Sequence, residues 1–267
     1  MNTNINTNIN TNINTNRDEN KKNNLVITIM AAGEGKRMKS ELPKVLHPCG
    51  DIPMVVRIIK ESLLLSSKIV VITGKFDQEI KESIQSYLTS EEWILLHFVQ
   101  QLNPCGTGDA IKVSLDCYHD EETVIILNGD MPLINSTIID NFHQQTKENN
   151  ALIISKLENP FGYGRIIVNE KKEIIKIVEE KDCDKSEKQI SLVNTGLYKF
   201  DACILKEFIP QIKNNNKQKE YYLTDMVELL NKNNVKVGSF LIDEQYKKYI
   251  KGVNTPEELK EAELLLS

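Results

Sequence analysis

The residues best suited to chemistry are Met30-Ala31-Ala32-Gly33-Glu34-Gly35-Lys36-Arg37-Met38, followed by Leu42-Pro43-Lys44-Val45-Leu46-His47. An apolar run ends at Ala31, two glycines follow, and then come Lys36, Arg37 and Lys44. A strand that breaks into a glycine turn exposes backbone N–H groups, and these bind anions. With fixed cations beside it, such a turn suits a polyphosphate better than a single carboxylate, and so points to a nucleotide. Neither common nucleotide motif fits. A dinucleotide fingerprint needs a small residue where Met38 stands, and a P-loop needs Ser or Thr where Arg37 stands. A solvated turn between strand and loop is the plain alternative for Gly-x-Gly alone.

Further along, Gln101 precedes Gly106-Thr107-Gly108-Asp109. A glycine-flanked loop brings backbone groups edge-on to a base, and a side-chain amide reads donor and acceptor positions; a helix capped by Thr107 fits the same residues. In Asn128-Gly129-Asp130-Met131-Pro132, one carboxylate lies between glycine and proline. That suits Mg²⁺, which takes one or two carboxylates and completes its shell with phosphates and water. A turn aspartate fits equally well. Gly162-Tyr163-Gly164-Arg165 stands ahead of Glu179 and Asn194, a set that would admit a ring and meet hydroxyls and an amide. The alternative for Tyr163 and Arg165 is a β-turn with exposed side chains. Loops at Glu220–Asp225 and Gly252–Pro256 run into helices, with Thr224, Asp225 and Thr255 as caps.

Composition narrows the classes. The 267 residues are 40% hydrophobic, enough for a full core, and the net charge of -5 argues against nucleic acid or an anionic membrane as the main partner. No apolar run reaches the roughly 20 residues that span a bilayer. Five scattered cysteines without a C-x-x-C pair suit reduced thiols in the cytoplasm and offer no zinc site. The four histidines have no metal-ligand spacing, which leaves metal hydrolysis and His-based nucleophilic catalysis without support.

The elements that must position these residues alternate. Apolar, β-rich runs at 25–31, 68–73, 93–99 and 123–127 are separated by helical patterns at 54–66, 77–89 and 108–118. This order predicts a mostly parallel sheet covered on both faces, with ligands at the carboxyl ends of its strands. From 151 onward, strands at 151–157, 164–168, 173–178 and 191–200 predict a mixed or antiparallel extension. Helices at 201–209, 223–234 and 256–266 and a strand at 235–242 complete the chain. Residues 1–22, an Asn-rich polar tract, read as a disordered leader. Residues 23–267 then form the folded domain, with 25–150 as its nucleotide-binding half and 151–267 as its second half.

Taken in order, these motifs resemble the sugar-1-phosphate nucleotidyltransferases, most of all the uridyltransferase half of the bacterial bifunctional N-acetylglucosamine-1-phosphate enzymes. Matching pieces run from Leu25 to about Leu265 and include Val178-Glu179-x-Lys181-Asp182, Asn194-Thr195-Gly196 and Gly252-Val253-Asn254. The resemblance implies an α/β, Rossmann-like nucleotidyltransferase fold with a β-rich sugar-binding extension. It implies UTP and N-acetylglucosamine 1-phosphate as substrates and Mg²⁺ as cofactor. Ala31, Ala32, Gly33, Gln101, Gly106 and Thr107 would bind UTP, and Arg37 and Lys44 would be catalytic. Gly129, Gly164, Glu179, Asn194 and Asn254 would hold the sugar, and Asp130 with Asn254 the metal. The chain lacks the acetyltransferase β-helix of the bacterial enzymes, so uridyl transfer alone is expected, with oligomeric state open. Glu34 places a negative charge near phosphates, and Asp109 stands where His is frequent. Rival readings are a related transferase acting on glucose 1-phosphate, a non-catalytic nucleotide-sugar sensor, and a dinucleotide-dependent oxidoreductase.

Overall fold

A computed structural model describes residues 24–266. The expected leader, 1–22, lies outside the described residues.

The first half builds the parallel core of the sheet. Strand β1 is Leu25–Met30; a 3₁₀ turn at Lys36–Met38 and another at Lys44–Leu46 follow. A small hairpin, β2 (Pro48–Cys49) and β3 (Ile52–Pro53), leads into helix α1 (Met54–Leu63). Then come β4 (Ile69–Thr73), α2 (Asp77–Gln85), the short α3 (Ser90–Trp93), β5 (Leu96–Gln100), α4 (Thr107–Val113), β6 (Thr123–Asn128) and α5 (Ser136–Gln145). The second half adds β7 (Ala151–Lys156), β8 (Arg165–Val168), β9 (Ile174–Val178), β10 (Leu192–Asp201), α6 (Ala202–Phe208), α7 (Asp225–Lys232), β11 (Gly238–Leu241) and α8 (Pro256–Leu264).

Strands from both halves share one sheet in the order β11-β7-β10-β6-β1-β4-β5, with β8 branching from β10 and carrying β9. Pairs β1–β4, β1–β6, β4–β5 and β11–β7 are parallel, whereas β10 is antiparallel to β6, β7 and β8. The expected mixed, mostly parallel α/β sheet is therefore present. From β1 the chain steps outward to β4 and β5, then returns to place β6 on the other side of β1. This reversal opens a crevice at the carboxyl ends of β1 and β6, where open α/β sheets bind ligands.

Strand periodicity explains the double covering. Leu25, Ile27 and Ile29 of β1 face one core, shared with Val55, Ile59 and Phe142. Val26 faces the other, shared with Ile126, Phe200 and Leu230. Successive side chains point to opposite faces, so a strand buried on both sides is apolar nearly throughout. Thr28 is the polar exception on β1, and its hydroxyl is hydrogen-bonded to the Tyr118 hydroxyl at 2.8 Å.

Several boundaries differ from expectation. Helix α5 was not foreseen: its buried positions are only Ile138, Ile139 and Phe142, too few for a clear helical period, and its start is set by Asn135, whose side chain accepts from the Ile138 N–H at 3.0 Å. The segment 93–99 begins as the end of α3, because Thr89 and Glu92 form a capping box there. The helical pattern at 77–89 stops at Gln85, that at 108–118 passes into a 3₁₀ turn at Leu115–Cys117, and the strand at 235–242 is confined to Gly238–Leu241. Among the described residues no helix is long and apolar enough to cross a membrane.

Candidate active site

Three connected cavities lie along the crevice. The first, about 310 Å³, is lined by Ala32, Gly33, Gln101, Gly106, Thr107 and Gly129 among others. The second, about 510 Å³, is bounded by Gly33, Glu34, Gly35, Arg37, Lys44 and Asn254. The third, about 490 Å³, reaches from Asp130 and Asn254 to Gly164, Glu179 and Asn194. Lys44 borders the first two, and Asn254 the last two. Each has the volume of a small-ligand site.

At the junction sits a cluster of opposite charges. The Lys44 ammonium donates to the Asp130 carboxylate and, at 2.7 Å, to Asn254 Oδ1. The Arg37 guanidinium donates to the same Asn254 oxygen at 2.8 Å. Two oxygens from residues far apart in sequence thus converge on one cation. The folding reasons are local: Val45 and Leu46 are buried and anchor the turn that starts at Lys44, while the Val253 N–H donates to the Asp130 carbonyl at 2.8 Å and brings Asn254 alongside. Gly35 takes φ of +65°, and a Cβ there would stand 2.3 Å from Lys44 Cβ. Only glycine lets the turn pack against the lysine stem. Among the described residues no group of three or more His, Cys, Asp or Glu side chains forms a metal cage. The oxygen pair of Asp130 and Asn254 instead suits an ion that keeps waters and substrate oxygens.

The first cavity is closed by a loop that crosses from the second half. The Gly108 N–H donates to the Tyr221 carbonyl at 2.7 Å, and the Tyr221 N–H to the Cys105 carbonyl at 2.7 Å. Gly106 has φ of +111°, and a Cβ there would stand 2.5 Å from the Tyr221 carbonyl oxygen. Thr107 is not the helix cap; that position is Gly106, and the Thr107 hydroxyl accepts from the Leu223 N–H at 3.0 Å. Gln101 is 3% exposed, with its amide nitrogen donating to the Gly106 carbonyl at 3.2 Å and to Asp109 at 2.6 Å. Ala31 is buried under the turn and lines none of these cavities, whereas Ala32 and Gly33 do. Gly129 lies against the first cavity, not the third.

In the third cavity the structure overturns the exposed-turn alternative for Arg165. That side chain is among the largest fully buried ones: it donates to Glu180 at 2.7 Å and to the Tyr163 carbonyl. Glu180 also accepts from the Gly162 N–H at 3.1 Å, so the arginine–glutamate pair pins the loop that carries Gly164. Burial pushes the Glu179 carboxyl up, and the Thr224 hydroxyl, which donates to it at 2.8 Å, offsets this. Thr224 is therefore a supporting residue here and makes no side-chain cap for α7. Thr255 is the cap expected, accepting from the Glu258 N–H at 3.2 Å. Asn194 donates to the Tyr198 hydroxyl at 2.6 Å and accepts from the Gly196 N–H, which leaves one amide N–H for a ligand. Sequence reasoning missed Asn128, which lines the first and third cavities, and Glu258, whose carboxylate accepts from the Asn254 N–H at 2.6 Å. The signal for Asn128 was its place at a strand end beside Asp130. The signal for Glu258 was its place three residues after the cap Thr255, the spacing of a capping box.

Behind Glu179, at the start of α7, the Asp225 carboxyl is pushed up to about 6 by burial, with Glu228, Glu179 and Asp182 adding to the effect and Lys232 opposing it. The folded state therefore holds this proton more tightly than the unfolded chain, and stability is gained as pH falls from about 6 toward the ordinary 3.8. Asp225→Asn is expected to raise the melting temperature above that window, with the gain shrinking as pH falls through it; thermal melts across this range check it. An unchanged melting temperature at alkaline pH would contradict the burial cost.

Comparison with known proteins matches this architecture. Residues 26–246 fit the family model described as "Nucleotidyl transferase". The chain is 43% identical over 246 residues to a protein of Acanthamoeba polyphaga mimivirus named "Probable UDP-N-acetylglucosamine pyrophosphorylase", covering 89% of this chain and 94% of the relative. It is 38% identical to the "Bifunctional protein GlmU" of Sulfurimonas denitrificans, covering 92% of this chain and 54% of the relative, so it spans about half the length of that bifunctional protein. The solved structure of a UDP-glucose pyrophosphorylase complexed with UDP-glucose superposes with a TM-score of 0.69 at 18% identity, covering 90% of this chain and 97% of that one. With the family model covering most of the folded residues and a near-full-length relative at this identity, the chain belongs to the nucleotidyl transferase family.

Proposed function

We propose that the protein is a UDP-N-acetylglucosamine pyrophosphorylase: it transfers UMP from UTP to N-acetylglucosamine 1-phosphate and releases pyrophosphate. The observation that carries this reading is the convergence of Lys44, Arg37, Asp130 and Asn254 at the junction of the cavities. Uracil occupies the cavity of Gln101 and Gly106, the triphosphate lies along Gly33, Arg37 and Lys44, and the sugar fills the cavity of Gly164, Glu179 and Asn194. In this reading the second half of the chain, 151–267, is the sugar-binding part.

The chemistry needs no nucleophilic triad. A sugar 1-phosphate is already an anionic nucleophile at neutral pH. One of its phosphate oxygens attacks the α-phosphorus of UTP, the bond to the bridging oxygen of the β-phosphate breaks, and pyrophosphate leaves with that electron pair. No proton needs to be removed first. What the protein supplies is in-line positioning of two repelling anions and stabilisation of charge in the transition state. Arg37 and Lys44 do this from fixed turns. Asp130 and Asn254 would hold Mg²⁺, which when bound neutralises phosphate charge. This reading is supported by the Lys44 ammonium, which meets both of these oxygens at once. Charged substrates of this kind suit a cytoplasmic setting.

A substrate panel tests the assignment, with nucleoside triphosphates crossed against sugar phosphates and pyrophosphate release as the readout. UTP with N-acetylglucosamine 1-phosphate is expected to be the fastest pair. Equal rates with glucose 1-phosphate would move the assignment to a less selective uridylyltransferase, and no turnover with any pair would favour a sensor.

A further inference from the structure

We propose that Asp109 is a positioning residue that makes the base cavity selective for uracil over cytosine, by locking the side-chain amide of Gln101 in one of its two orientations. This rests on the UTP reading above. The Asp109 carboxylate accepts from Gln101 Nε2 at 2.6 Å and from the Cys105 N–H at 3.4 Å. An ionised carboxylate has no proton to donate, so it can face only the NH₂ end of the amide. The Gly106 carbonyl, at 3.2 Å from the same nitrogen, is likewise an acceptor. Both amide protons are thereby committed inside the loop. The carbonyl oxygen Oε1 is left as the group that Gln101 offers to a ligand, and among the described residues no donor meets it.

That orientation selects between bases. Uracil presents an N–H at N3, which Oε1 accepts. Cytosine presents a lone pair at N3, which would face the Oε1 lone pairs and leave two buried acceptors unpaired, a costly arrangement. A glutamine free to turn would serve either base, presenting oxygen to uracil and NH₂ to cytosine. Selectivity therefore comes from whatever holds the amide still. The charge-assisted bond from Gln101 to Asp109 is the shorter of the two restraints and the stronger. Asp109 lies in the first turn of α4, beside the cavity wall and away from the phosphate-binding turn.

The test compares kcat/KM for UTP and CTP in the full-length protein. Asp109→Asn keeps the shape but can present either a donor or an acceptor, and Asp109→Ala removes the restraint. Each is expected to lower the UTP/CTP ratio by at least about tenfold, chiefly by raising activity with CTP relative to UTP. In a Gln101→Ala background, Asp109→Asn should change the ratio no further, because Asp109 acts through that amide. Folded variants whose ratio stays within about twofold of the starting protein overturn the proposal, as does an undiminished effect without Gln101. A starting protein that releases no pyrophosphate from UTP with any sugar phosphate would instead refute the underlying assignment.

Discussion

Replacing Asp130 by alanine should abolish nearly all turnover, lowering kcat by roughly 10³-fold or more while the protein stays folded. Asp130 follows β6 directly and lines both the first and the third cavity, between the turn proposed to bind phosphates and the cavity proposed to hold the sugar. Its loss removes the negative ligand of the proposed Mg²⁺ and the partner that orients Lys44. Its side chain is 21% exposed, so solvent can enter the space left behind. Steady-state kinetics across a range of Mg²⁺, beside a thermal melt, separates the outcomes. The expected variant has a near-native melting temperature and activity that added Mg²⁺ restores poorly. A sharp drop in melting temperature would mark Asp130 as structural, and activity close to that of the starting protein would remove it from the mechanism.

Lys44→Ala is the second large effect, a fall in kcat of about 10²–10³-fold, equivalent to roughly 3–4 kcal/mol of lost transition-state stabilisation. In the proposed reaction the ammonium stands where negative charge gathers on the triphosphate, and it is held by a turn whose next two side chains are buried. Removing it leaves Asp130 partly hydrated rather than sealed in the core, so the cost to stability is small. Since Lys44 and a metal ion would meet the same two oxygens, Asp130 Oδ2 and Asn254 Oδ1, the variant should not bind Mg²⁺ more weakly than the starting protein. Titration with Mn²⁺ followed by electron paramagnetic resonance reads this independently of turnover. Weaker metal binding in Lys44→Ala would show that the lysine supports the metal site rather than sharing its ligands.

Much of this is legible in the sequence. Strand β1 is apolar at every position but Thr28 because both of its faces are buried, and the glycine turn after it fits neither the dinucleotide nor the P-loop spacing. These local patterns, and the placement of Gly33 and Asp130 just past strand ends, follow from period-two burial and turn chemistry alone. Helix α5 escaped because its three buried residues make a weak period. The exposed-turn alternative for Arg165 arises because an arginine after a glycine reads as solvated; it fails because the partner Glu180, fifteen positions on, makes burial tolerable.

The sequence by itself determined most of the element order, the largely parallel character of the sheet and the glycine turn with its cations directly after β1, since each is written in neighbouring residues. The tertiary structure alone decided which distant side chains meet. Lys44 reaches Asn254 across 210 positions, Thr224 meets Glu179 across 45, and the backbone at Tyr221 closes over Gly106 and Gly108. Such contacts depend on strand order and on how loops fold back over the crevice. No local pattern encodes them, because the free energy that selects one pairing belongs to the packing of the whole sheet and its two cores.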